Sequence, residues 1–286
     1  MKKSISVRAN GKEYEIPNSW DLLTSEQYLK LIDLLSLMES GQYSLGVVKC
    51  LFLCHLMKWD IRKIESYERN LENFVSIASQ ISFFYKEKED KFVLDLCFCR
   101  QILPIVFIGK KAYYGYEVST DYNSLTCSLS ALQYIEARQL LDMGEESLPL
   151  LAAVLYFRKG EYSSEKAQKL ADEFRKLPAN TLRAIALNFT AVNNFIFQNT
   201  EFSLLTKFVP QKGNAITTDA TDALYDLSKD GLGNASQVER MNVLTYLRIL
   251  RKKTIDGVKT LRTAGMDVAK IANEVGLPLE IVKKII

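Results

Sequence analysis

Cys50, Cys54 and His55 lie on one short segment, and Cys97 and Cys99 form a second thiol pair. Thiolate and imidazole are the ligands of zinc, so these five side chains are the first place to look for chemistry. Cys50 and Cys54 stand one helical turn apart and share a helix face. A strand carrying Cys97 and Cys99 against that face would complete a thiolate-rich set. The spacings match neither a zinc ribbon nor a finger, and free cysteines ordinarily behave as small buried hydrophobes. No metal is expected. His55 is the only histidine. It follows Cys54 directly, which on a helix points it away, so a Cys–His or Ser–His–Asp arrangement lacks a base. Neither G-x-x-x-x-G-K-[ST] nor G-x-G-x-x-G occurs, and Gly231-Leu232-Gly233 reads as a helix stop and turn. Asp95 stands within the apolar run 92–98, where strand alternation turns it outward. These residues predict a protein that is not an enzyme and holds no cofactor.

The C-terminal segment is more specific. DVAKIANEVGLPLEIVKKII (267–286) places Val268, Ile271 and Ala272 on one helix face, a turn at Gly276, and Pro278 at the first position of a second helix. Ile281, Val282 and Ile285 would form its inner face. The pattern resembles the helix-turn-helix core of sigma-like and recombinase-like DNA readers. Arg248, Arg251, Lys252, Lys253, Lys259 and Arg262 form a basic cluster upstream, and Lys283 and Lys284 follow at the end. These eight side chains are the candidate nucleic-acid contacts of an alternative, DNA-binding reading. The outward positions of the last helix offer Glu280, Lys283 and Lys284, and none of the Arg, Asn or Gln that read bases best. The same pattern also closes many proteins as a plain helical hairpin.

Composition frames both readings. The chain has 286 residues, enough for one large or two smaller domains, with 48% hydrophobic and 25% charged residues, as in ordinary globular proteins. Lys and Arg number 37 against 34 Asp and Glu, so no global charge pulls it toward nucleic acid or an anionic membrane. The longest apolar run, 47–57, is interrupted by Lys49 and is far shorter than the ~20 residues of a membrane span. Residues 4–15 form a polar alternating stretch rather than a leader. The five cysteines do not read as a disulfide framework, so a reducing cytoplasm is the expected home.

The elements that must position any site follow from turn chemistry and periodicity. Asn10-Gly11 between alternating runs predicts a hairpin pairing Ala9 with Lys12, Val7 with Tyr14 and Ile5 with Ile16. Thr24 and Gln27 read as a capping box, with Leu23 and Tyr28 as its hydrophobic staple. Helices are expected from there to Gly41, over 45–57 and over 61–84. Residues 92–108 are richer in β-branched and aromatic types, and Gly109-Lys110 predicts a second hairpin, 105–108 with 111–114. Further helices are expected over 128–144, 148–157, 164–176, and from an Asn180 cap to Phe197, with a short one to Phe208. Pro210–Thr218 is the linker candidate.

The opening stretch, VRANGKEYEIPNSWDLLTSEQYLKLIDLL, resembles proteins encoded beside structural genes in tailed phages and prophages, especially of Bacteroides-like hosts. Ile16, Pro17, Trp20, Leu23, Thr24, Gln27 and Tyr28 carry the likeness, and FIGKKAYYGYEV echoes it. The class it is most similar to is the tail-assembly chaperone, with small virion connector proteins behind it. That resemblance implies protein-protein contact in particle assembly and no catalytic residues. The expected fold is mainly α (α+β). A helical body with two β-hairpins (1–208) and a linker (209–218) precede a small C-terminal helical unit (219–286). The expected partner is a phage tail or other virion protein, held in an apolar groove. Phe189, Phe195, Phe197 and Phe202 are a candidate wall for it, with ordinary core packing as the plain alternative. A structural virion component forming a ring or dimer is the other assembly reading.

Overall fold

A computed structural model describes residues 4–9, 11–60, 62, 68–89, 91–158, 160–205, 228–229 and 233–286. The expected linker, 209–218, the 206–208 end of the short helix, and Gly231 and Leu232 lie outside the described residues.

The first described element is a hairpin. Strands β1 (Ser4–Ala9) and β2 (Lys12–Pro17) pair antiparallel in the register that the turn chemistry predicts. Gly11 takes φ +75°, which an L side chain would resist. The apolar face packs inward: Ile16 is buried, Ile5 and Val7 are partly so, and Tyr14 meets the Trp59 ring edge-on at 6.0 Å. On the other face Ser6 Oγ donates to the Glu15 carboxylate. Helix α1 (Ser25–Glu39) begins at the expected capping box. Gln27 N donates to Thr24 Oγ1 at 3.2 Å, and Thr24 N to Gln27 Oε1 at 2.9 Å.

The body is a mainly helical assembly around α5 (Leu148–Leu155). Leu151, Ala152, Ala153, Val154 and Leu155 are all buried, because a helix apolar on every side has no face to give to water. It packs on α4 (Ala131–Asp142), α6 (Ser164–Phe174) and the long α7 (Ala179–Asn199). Helix α1 bridges α7 to α2 (Leu45–Met57), which in turn holds α3 (Glu68–Ser79). Lys49 of α2 is buried. Its Nζ donates to the Ser79 carbonyl at 2.9 Å and to Tyr85 Oη at 2.6 Å, which replaces the water it loses.

Among the described residues there are four two-stranded hairpins rather than the expected two. The predicted β5 (Ile105–Ile108) and β6 (Lys111–Tyr114) pair around Gly109 at φ +59°. Two more form: β3 (Tyr85–Lys88) with β4 (Lys91–Leu94), and β7 (Val118–Ser119) with β8 (Thr126–Cys127). The expected helix to Phe84 stops at Ser79 and gives way to β3.

Residues 95–104 are not strand. Backbone bonds tie their two ends, Asp95 N to the Phe84 carbonyl and Gly115 N to the Pro104 carbonyl, and between these ends side chains meet the backbone. Trp20 Nε1 donates to the Asp95 carbonyl at 2.8 Å, and Asn194 Nδ2 to that of Leu96 at 2.8 Å. Asn188, buried on α7, accepts from Ile102 N and donates to the Arg100 carbonyl, both at 2.8 Å. Tyr156 Oη donates to the Leu103 carbonyl. A buried backbone must find partners, and here polar side chains of the helices supply them. Asn180 is not the cap of α7. Pro178 holds that position, and Asn180 Nδ2 reaches across to Asp33 at 2.8 Å, tying α7 to α1.

The C-terminal helices are α8 (Ala235–Arg240), α9 (Val243–Thr263), α10 (Val268–Val275) and α11 (Leu279–Ile285). They join two cores. Val238, Val243, Leu244, Tyr246 and Leu247 belong to the main core, whereas Val258, Ile271, Ala272, Leu277 and Val282 form a second, small one. The start of α9 is strapped to the body by two backbone bonds, Ala131 N to the Met241 carbonyl at 2.7 Å and Val243 N to that of Leu129 at 3.0 Å. Asn242 Nδ2 adds a third, to the Cys127 carbonyl at 2.6 Å. Residues 235–286 thus contribute to both cores, and α9 is the beam between them.

Candidate functional site

The cysteines come first. Cys54 is buried, and Cys50, Cys97 and Cys99 are half-buried. Asn199 Nδ2 donates to Cys97 Sγ at 3.0 Å. Burial pushes the Cys99 thiol up to about 12, with Cys127 and Asp21 acting in the same direction. Burial likewise raises Cys50, and Cys97. Such thiols hold their protons at neutral pH, so they are poor nucleophiles. Among the described residues no three His, Cys, Asp or Glu side chains come together to hold a metal ion. Asp95 faces solvent and pairs with Lys86 Nζ at 2.8 Å.

An open cleft of about 580 Å³ lies where α8 meets the starts of α4 and α6. Two of its charges pair with each other. Glu161 and Arg240 form an ion pair, and Lys166 Nζ donates to the Glu161 carbonyl at 3.0 Å. Tyr162 of the lining donates to Glu136, and burial, first, together with that carboxylate raises its phenol far above the usual range.

The expected aromatic wall on α7 divides. Phe189 and Phe202 are core side chains, Phe189 meeting Tyr116 and Tyr134 edge-on. Phe197 packs against the same core beneath the Arg138 guanidinium, and Phe195 is half-buried. Helix α7 packs on α1 and α5, and Phe189 and Phe202 follow the plain alternative, core packing, so neither can line a groove.

The basic cluster divides as well. Arg248 and Arg251 turn to Glu201, at 3.6 and 3.7 Å, and help hold α9 on the body. Lys283 pairs with Glu280 at 2.9 Å, and Arg262 Nη1 donates to the Met266 carbonyl. Lys252, Lys253, Lys259 and Lys284 are exposed. Gly276 takes the expected left-handed turn, and Pro278 sits at the cap of α11 rather than inside its first turn.

Apolar side chains are left exposed in several places, among them Leu71 and Val75 on α3, Phe92 and Val93 on β4, and three on β5 and β6. Val106 and Tyr113 enter the core, while Ile105, Phe107 and Tyr114 face outward at 39%, 66% and 46% exposure. Ile105 stands directly opposite Tyr114, so the outward side chains form one patch. Among the described residues neither strand pairs with a further strand.

No family model matches the chain, and no curated protein or solved structure proves similar to it. What can be argued about its action therefore rests on its own surface. Sequence reasoning passed over this patch, although a signal was present. The run Ile105–Ile108 is apolar at every position, and a two-stranded ribbon can bury only one face against a core. Among the described residues no helix is long and apolar enough to cross a membrane.

Proposed function

We propose that this protein is a non-enzymatic assembly factor for tailed-phage or prophage particles. It acts as a chaperone that holds an aggregation-prone segment of a tail protein, such as the tape measure. The outward face of the β5–β6 hairpin carries this reading. Ile105, Phe107 and Tyr114 offer an apolar patch, and Val106 and Tyr113 anchor it rigidly from beneath. Neither strand has a second strand partner among the described residues, so an extended segment that adds to an edge is one way to engage this hairpin. Such a surface recognises exposed strand and apolar side chains with little regard for exact sequence, as a holding chaperone requires. The N-terminal hairpin, corner and capped helix that resemble the phage proteins form part of the scaffold behind it.

The test is photo-crosslinking from position 107 in a host cell during phage induction, with adducts identified by mass spectrometry. Adducts to a tail or other virion precursor support the reading. Adducts only between copies of this chain would replace it with a structural ring or dimer component. Adducts to neither would overturn both.

A further inference from the structure

We infer that the C-terminal three-helix unit binds the phosphate backbone of duplex DNA without reading its sequence. The surface is separate from the β5–β6 hairpin. Charge is segregated along the chain. Residues 243–286 hold nine Lys and Arg against four Asp and Glu, a net of +5, while the whole chain carries +3, which leaves the remainder at −2. A near-neutral total therefore conceals a basic module on a faintly acidic body.

The structure separates the cations that are spent from those that are open. Arg248 and Arg251 belong to Glu201, and Lys283 to Glu280. Lys252, Lys259, Lys270 and Lys284 are exposed and make no ion pair among the described residues. Lys252 and Lys259 are seven residues apart on α9, so they stand one above the other, within about 20° around the helix. Lys270 lies on the outer side of α10 beside buried Ile271, and Lys284 on the outer side of α11. All three helices thus present ammonium groups while Val258, Ile271 and Val282 hold them together. Lysine is a point charge suited to phosphate.

Two observations specify the ligand. Tyr246 is the one aromatic residue in 243–286, and it is buried in the main core. No ring is offered for base stacking, which single-strand binders use. The exposed positions of α11 are Leu279, Glu280, Lys283 and Lys284, and none is an Arg, Asn or Gln, the side chains that read bases best. Backbone contact to a duplex is what remains.

The test is fluorescence anisotropy of the full chain with duplexes of about 30 base pairs and unrelated sequences, a length that spans several helical turns. Four phosphate contacts predict roughly a hundredfold weakening between about 50 and 200 mM salt. All duplexes should bind alike. The variant K252Q/K259Q/K270Q/K284Q, with all four changes on exposed side chains, should keep its circular dichroism spectrum. At low salt it should lose at least about tenfold in affinity. No binding at low salt, an unaffected variant, or equal competition by polyglutamate at matched charge would each overturn the inference. The last would identify an acidic protein surface instead.

Discussion

At the scale of single residues, Asn188 does the work of a missing strand. Its amide satisfies one donor and one acceptor of the extended segment 95–104 at once. Asn188→Ala would leave the Ile102 N–H and the Arg100 carbonyl without their partner, the first of them buried. The expected cost is about 2–6 kcal/mol, from two orphaned groups at about 1–3 kcal/mol each. Urea unfolding measures it, and a change below about 0.5 kcal/mol would mean that water replaces the side chain. The thiols set a pH dependence. Folded Cys99 and Cys127 are raised to about 12 and about 11 from 9.0. Below 9.0 both states keep these protons, and the groups have no effect on stability. Above it the unfolded chain ionises first, so stability falls as pH rises toward the folded values. The urea midpoint should drop between about pH 9 and pH 11, and a C99A/C127A variant should show a smaller drop.

At the scale of elements, the two faces of the β5–β6 hairpin should respond differently to substitution. Phe107 is exposed and Tyr113 is buried. Phe107→Asp should change stability by less than about 0.5 kcal/mol while abolishing partner capture. Tyr113→Ala should cost about 3–5 kcal/mol, because it empties a core position. Paired thermal melts and crosslinking yields separate the two. Equal destabilisation would mean that both faces are buried in solution. The helix starts are the elements most legible in the sequence. Thr24 with Gln27 forms the expected box, and Ser130 with Gln133 forms a second that the same rule would have found. Gln133 shows why a box can carry more than a cap. Its Nε2 also donates to the Val154 and Phe157 carbonyls at 3.1 and 3.3 Å, joining α4 to the end of α5.

At the scale of the whole molecule, α9 connects a large core to a small one. The second core has few buried side chains, with Val282 fully enclosed in α11. Val282→Asp places a charge among them and should unfold that unit alone. Limited proteolysis should then remove the chain beyond about residue 258, while the body and its strap at Ala131 and Val243 stay protected. Cleavage that spreads into α4 would show that the two cores fold as one. The same design separates the two proposed activities, since the hairpin patch lies on the body and the open lysines lie on α9–α11.

The sequence by itself determined what depends on neighbours along the chain. Alternation and an Asn-Gly turn specified the first hairpin to the residue, because cross-strand partners there are at most 13 positions apart. The apolar spacing of 268–285 likewise specified the faces of α10 and α11. Only the tertiary structure decided which apolar and charged side chains remain available. Phe189 and Phe107 are the same residue type. One is enclosed by Tyr116 and Tyr134, and the other faces solvent because nothing covers its side of the ribbon. Arg248 and Lys252 are one helical turn apart, yet Glu201 takes the first and leaves the second. Asn188 binds a segment 86 positions away, and Trp20 one 75 positions away. Partnerships across such distances follow from how packed helices bring surfaces together, and residue type and local spacing do not encode them.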